Sequence, residues 1–156
     1  MGRKPVNAPQ LVVGYDRREA SQHALDVAAG LALELNAHLR VVHVVDLADY
    51  PVDPDVADWE EQAAATMAEE REWAALQLGS WPGHWSYHLE RGDPAATLSL
   101  LADRCQALMV VVGSDGTRGG SAWHRFFEGS SVALWLVRHH RRPVLIVPLP
   151  DKGRRD

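Results

Sequence analysis

The 156-residue sequence predicts an α/β fold, a doubly wound five-stranded parallel sheet in the order 3-2-1-4-5 with helices on both faces. Three observations lead there. Five short runs rich in branched apolar residues alternate with four segments of helical period, the pattern of successive βαβ units. Most connections between them are short. The first and fourth runs are apolar throughout, as central strands covered on both faces must be, whereas the third alternates and suits an edge. Right-handed crossovers with helices on both faces require the strand order to reverse once, and strands one and four side by side give that reversal.

Residues 10–15 (QLVVGY) form the first strand, ended by Asp16. From 20 to 35 the period becomes helical, with Ala24, Ala28, Leu31 and Leu35 on one face and Asn36 as a stop. Residues 39–45 (LRVVHVV) form the second strand, closed by Asp46. Between Asp46 and Glu61 stand seven acids and no base, interrupted by Pro51 and Pro54. A loop is expected first, then the acidic opening turns of a helix over about 55–78, where carboxylates suit the positive end of the dipole. Residues 79–83 (GSWPG) are turn chemistry, and 85–90 (WSYHLE) are the alternating third strand. Asp93 as N-cap and Pro94 at the first helical position start the next helix, with Ala95, Leu98, Leu101, Ala102 and Cys105 on its buried face. Residues 107–112 (ALMVVV) are the fourth strand. Residues 132–137 (VALWLV) are apolar nearly all round a helix, which is expected to be buried on more than one side or to lie at a subunit interface. Arg138 to Arg142 place positive charge at its C-terminal end, Pro143 stops it, and 144–148 (VLIVP) are the fifth strand.

A hydrophobic content of 46%, with 24% charged residues, is that of an ordinary soluble domain, and the net charge of −5 argues against a nucleic-acid partner. The single cysteine, Cys105, falls in an apolar helical pattern and reads as a buried thiol in a reducing compartment. No apolar run approaches the roughly 20 residues that span a bilayer, and no apolar segment follows Arg3 and Lys4. The expectation is a cytoplasmic protein with no membrane partner: a flexible N-terminus (1–9), one domain (10–150) and a polar tail (151–156).

The stretch with the clearest chemistry follows the fourth strand. Gly113-Ser114-Asp115-Gly116-Thr117-Arg118-Gly119-Gly120 is a glycine-rich loop, and Gly129-Ser130-Ser131 opens the last helix. A buried strand, a glycine loop and a helix start with hydroxyls are the parts of an oxyanion cradle, because the first helical amides have no intrahelical acceptor. Ligands of open α/β sheets bind beyond the carboxyl ends of the strands at the reversal, which here are Asp16 and Gly113. The loop lacks Gly-Lys-Ser/Thr, no Gly-x-Ser-x-Gly elbow is present, and no nucleophile stands beside a base. Binding without strong turnover is therefore expected, with no catalytic residue assigned. No metal site is expected either. His84 and His88 lack a third ligand at a recognisable spacing, His139 and His140 diverge on their helix, and the acidic segment lacks the spacing of a calcium loop. His43 reads as a packed core histidine, and Trp59, Trp73 and Trp135 as core or interface residues.

Assembled, these pieces resemble the universal stress proteins of the single-domain, UspA-like type, over residues 10–148. LVVGYDRREAS at 11–21 is similar to that family's opening strand and Asp turn, RVVHVVD at 40–46 to its second strand, RGDPA at 91–95 to its Gly-(Asp)-Pro turn, and VRHHRRPVLIVP at 137–148 to its ending. The resemblance implies an adenine nucleotide alpha hydrolase-like fold and an ATP-binding regulatory protein of the stress response, with Mg2+ as a companion of the nucleotide. It also implies a homodimer paired through 144–147, a strand whose apolar edge would otherwise lie open. By the same resemblance Asp16 and Val44 contact the nucleoside, with Tyr15 beside them, while Gly113, Gly116, Gly119, Gly129, Ser130 and Ser131 surround the phosphates. The family's nucleotide-binding branch carries G-x2-G-x9-G-[S/T]. This chain keeps Gly113-x2-Gly116 but has twelve residues before Gly129-Ser130, so either Ser130 or Ser131 supplies the hydroxyl. Arg17-Arg18 stand where many members have Gly-Ser, adding positive charge near the crevice. The alternative within the family is a dimeric interaction module that binds no nucleotide.

Overall fold

The computed structural model describes residues 8–45, 59–114 and 131–150. The expectations for 1–7, the acidic segment 46–58, the loop 115–130 and the tail 151–156 fall outside the described residues. The branched runs form β1 (Gln10–Gly14), β2 (His38–Val45), β3 (Trp85–Arg91), β4 (Met109–Ser114) and β5 (Val144–Pro148). Between them lie α1 (Glu19–Glu34), α2 (Trp59–Leu78), α3 (Pro94–Arg104) and α4 (Ser131–His139). The strands form one sheet in the order β3-β2-β1-β4-β5, every pair parallel. β1 lies between β2 and β4, with Gly14 opposite Val42 and Val13 opposite Val111, so the order reverses at β1 and β4 as their continuous apolar character requires.

Alternation along the strands divides the core in two. Leu11, Val13, Tyr15, Leu39, Val41, Val111 and Val147 face α1 and α2. Val12, Val42, Val110 and Val112 face α3 and α4, meeting Leu98, Ala102, Ala133 and Leu136. The buried stripe of α1 consists of Ala20, Ser21, Ala24, Leu25, Ala28, Ala29 and Ala32. Leu35, expected on that face, is 43% exposed because it is the C-cap, followed by Asn36 in the left-handed region at φ 50°. Small side chains let α1 sit close to the sheet, which is why alanine rather than leucine carries the contact.

The signals at the start of α3 work as expected: Asp93 Oδ1 accepts from the Ala96 N–H at 2.8 Å, and Pro94 occupies the first turn. Cys105 is half-buried rather than fully buried, its thiol 3.7 Å from the Ala102 carbonyl. In α4, Ala133 and Leu136 are buried while Val137 is 57% exposed, so within this chain the helix is covered on one side. Of the two places expected for Trp73, core or interface, the core is not where it lies: it is 46% exposed, its ring a platform for the Arg17 guanidinium 4.9 Å above it. Among the described residues, no helix is long and apolar enough to cross a membrane.

Candidate functional site

At its end β1 is still held by the sheet, with the Tyr15 N–H donating to Val42 O at 2.9 Å. The chain then turns into α1 through Arg17, which takes a positive φ of 66°. Side chains stitch this turn together. The Asp16 N–H donates to Ser21 Oγ at 3.1 Å, the Ser21 hydroxyl donates to Arg18 O at 3.0 Å, and Asp16 Oδ1 accepts from the Arg18 N–H at 3.0 Å. Gln22 Nε2 adds a bond to Arg17 O at 2.7 Å. A carboxylate that accepts from the backbone two residues on closes an Asx-type turn, which orients Asp16 before any ligand arrives. The Asp16 side chain remains half-exposed at the strand end.

Gly113 lies at the facing end of β4. A Cβ there would stand 2.4 Å from Ala20 O and 2.9 Å from Ser21 N, so the first turn of α1 rests directly on the glycine backbone. The first glycine of the loop thus has a packing reason of its own: helix and strand come this close only where no side chain intervenes. The same contact brings the start of α1, which no side chain caps, to the reversal point. A helix N-terminus there favours a negative group by about 0.3–1 kcal/mol.

The structure therefore brings Asp16 and Gly113 together, with Val44 on the adjoining strand, partly buried on the α3 side. The Tyr15 ring is packed into the core beneath α1, and burial raises its pKa above that of an ordinary tyrosine. Gly116, Gly119, Gly129 and Ser130 fall outside the described residues, and Ser131 is the first residue of α4. Of the positive charge expected from Arg17 and Arg18, that of Arg17 is drawn toward α2 and that of Arg18 lies against Asp16. Arg17 stacks on Trp73 with Nη1 3.9 Å from Glu69 Oε1, and Arg18 Nε lies 3.6 Å from Asp16 Oδ2.

One set of polar contacts beside the site was not foreseen. His43, placed correctly in the core, sets its Nδ1 against Glu70 of α2, and both side chains are about nine-tenths buried. The Tyr87 hydroxyl donates to the same Glu70 oxygen at 3.4 Å; burial first and the Glu70 carboxylate second push its pKa well up. The signal available in the sequence was Glu70 itself, one and two helical turns before Ala74 and Leu78, the other buried residues of α2.

Sheet order and strand-end geometry define a doubly wound parallel α/β protein with its reversal at β1 and β4. The model of the universal stress protein family matches residues 9–148, and the chain belongs to that family. It is 27% identical over 147 residues to a universal stress protein of Methanocaldococcus jannaschii, covering 92% of this chain and 84% of the relative. A crystal structure of a family protein from Burkholderia pseudomallei is 27% identical, with a TM-score of 0.66 over 93% of this chain and 99% of the other. A universal stress protein of Archaeoglobus fulgidus, solved in complex with dAMP, shares the fold at 19% identity and a TM-score of 0.63, covering 91% of this chain and 99% of that one.

Proposed function

We propose that this protein binds an adenine nucleotide, ATP with Mg2+, across the ends of β1, β2 and β4, and acts as a regulatory protein of the cytoplasmic stress response without strong turnover. The observation that carries this is the preformed Asp16 turn set against Gly113 at the strand reversal. The Archaeoglobus relative in complex with dAMP supports the class of ligand. In this reading Asp16 accepts from the ribose hydroxyls, Val44 borders the base, and the phosphates extend toward the loop after Gly113 and the start of α4. Purified full-length protein is extracted for nucleotide and titrated calorimetrically with ATP, with and without Mg2+. Saturable binding is expected, weakened roughly tenfold in Asp16→Ala, the loss of one hydrogen bond to a charged group. Absence of both co-purified nucleotide and heat of binding at millimolar ATP would sink the proposal.

The proposal includes a homodimer through β5. Pro143 O accepts from Val110 N and Leu149 N donates to Ser114 O, so alternate residues of β5 face β4 and the Ile146 N–H faces the outer edge. Ile146→Pro removes an outward donor and leaves the β4 ladder in place. It should shift sedimentation toward monomer; a dimer unchanged in the folded variant places the interface elsewhere. The second reading, a dimeric interaction module without nucleotide, draws support from the engagement of Arg17 with α2 and of Arg18 with Asp16, the carboxylate that would meet the ribose. It predicts the dimer and no binding heat.

A further inference from the structure

At the opposite end of the sheet from Asp16, the starts of β2 and β3 bring together a polar group that the nucleotide proposal does not use. Arg40 pairs with Ser86 across the two strands, and His88 lies opposite Val42. His38 and His84 stand one position before the paired Leu39 and Trp85. Alternation places His38, Arg40, Ser86 and His88 on the α3 side of the sheet, all of them half-buried. The Ser86 hydroxyl is 2.8 Å from His38 Nε2 and 2.8 Å from His88 Nε2. Arg40 donates from Nε to Gln10 Oε1 at 2.8 Å, and its Nη1 lies 3.4 Å from His88 Nε2.

These contacts have a direction. An arginine only donates, so His88 Nε2 accepts, and the Ser86 hydroxyl must then donate to it. The Ser86 oxygen in turn accepts from the His38 Nε2–H. Burial first and the Arg40 charge second lower the pKa of both His38 and His88; the nearby His84 lowers that of His38 further, and Glu90 acts the other way on His88. Among the described residues, no carboxylate lies within ion-pair distance of Arg40. A half-buried guanidinium with no carboxylate in ion-pair reach among the described residues, beside a hydroxyl and two imidazoles, is arranged for an anion. A metal cation would meet the charge of Arg40 at the nitrogen meant to bind it.

We propose that Arg40, Ser86, His38 and His88 form a second ligand site, for a dianionic phosphoryl group, independent of the strand-end nucleotide site. The guanidinium supplies charge and directed donors, and the hydroxyl and imidazoles turn their donors from one another to the phosphoryl oxygens. A dianion reverses the local field, so the imidazoles take up protons as it binds. Affinity for a phosphate monoester such as glycerol phosphate therefore rises as pH falls toward the ordinary imidazole value of about 6.5, and levels off as the monoester takes its own proton, near pH 6.

The test follows the imidazole resonances of full-length protein by NMR during titration with inorganic phosphate and, separately, glycerol phosphate. Saturable shifts at His38 and His88 are expected, with affinity for glycerol phosphate higher at the lower pH and binding roughly tenfold weaker in Arg40→Gln. Asp16→Ala should leave this binding unchanged, which keeps its outcome separate from that of the nucleotide proposal. Response to both probes identifies a phosphoryl group carried on a larger molecule, and response to inorganic phosphate alone identifies the free ion. Absence of saturable shifts with either probe overturns the proposal, as does equal affinity in Arg40→Gln with His38 and His88 still native in position.

Discussion

Two helices lie on the same face of the sheet, and they are held by different physics. α1 is attached by shape: a stripe of alanines and the bare backbone of Gly113 let it rest on the strands. Among its described residues α2 buries Ala74 and Leu78, and further contacts are chemical. Glu70 meets His43 and Tyr87, Glu69 and Trp73 hold Arg17, and Gln77 Nε2 bonds Gln22 O at 2.6 Å and Asp26 Oδ1 at 3.1 Å. Contact by shape fixes a position against all displacement, whereas contact by charge depends on every partner being present. The Asp16 turn stands between the two, with Ser21 of α1 on one side and Arg17 reaching α2 on the other.

The largest expected effect breaks the chemical contact. Glu70→Ala leaves His43 and the Tyr87 hydroxyl buried without their acceptor and should cost about 3 kcal/mol in urea unfolding, two buried polar groups each left unsatisfied. The triple replacement Glu70→Met, His43→Leu and Tyr87→Phe removes all three polar groups and should recover most of that loss. If the triple variant is as unstable as the single, the polar contacts themselves, rather than their disruption, hold α2.

Next comes the contact by shape. Gly113→Ala forces a methyl group against the Ala20 carbonyl, where no flexible side chain can yield. About 1–3 kcal/mol of destabilisation is expected, with amide exchange quickening in the first turn of α1 rather than in α2. Equal quickening in both helices would show that the two attachments are one unit.

The smallest effect is acid dependence. His38, His88 and His140 all have pKa values lowered, in each case chiefly by burial. The unfolded chain therefore binds protons first, as pH falls below about 6.5. Stability should decline from there until the lowered folded values are passed, and be fully present above that window. His140, whose Nδ1 meets Ser99 Oγ at 2.7 Å, joins α3 to the end of α4. His140→Asn should flatten the pH profile of the urea midpoint; an unchanged slope would assign the effect to the other two histidines.

Much of the fold was legible because local patterns and global packing agree. Strands β1 and β4 are apolar on both faces along Leu11 to Val13 and Val110 to Val112 since both faces are covered, and the Asp93-Pro94 start of α3 is written in two adjacent residues. Asp16 and Gly113 were legible from topology, being the carboxyl ends of adjacent central strands. What escaped depends on pairs distant in sequence. Nothing near His43 announces Glu70, and nothing near Trp73 announces Arg17 above its ring. Of the face read for α1, Ala24 and Ala28 are buried and Leu31 packs against the core, whereas Leu35 falls at the C-cap and is exposed. Leucine outranks alanine in any hydrophobic pattern, yet a close helix–sheet approach selects the smaller residue.

The pairing of β1 with β4 also bears on how the chain folds. Val12 meets Val110, so the candidate site does not exist until most of the polypeptide has been made and brought back on itself. Closing so long a loop costs entropy before contacts repay it, which makes such parallel pairing a slow step. A ligand held between Asp16 and Gly113 would bind only after that closure. Its association with refolding protein would then time the moment at which the two halves of the sheet join.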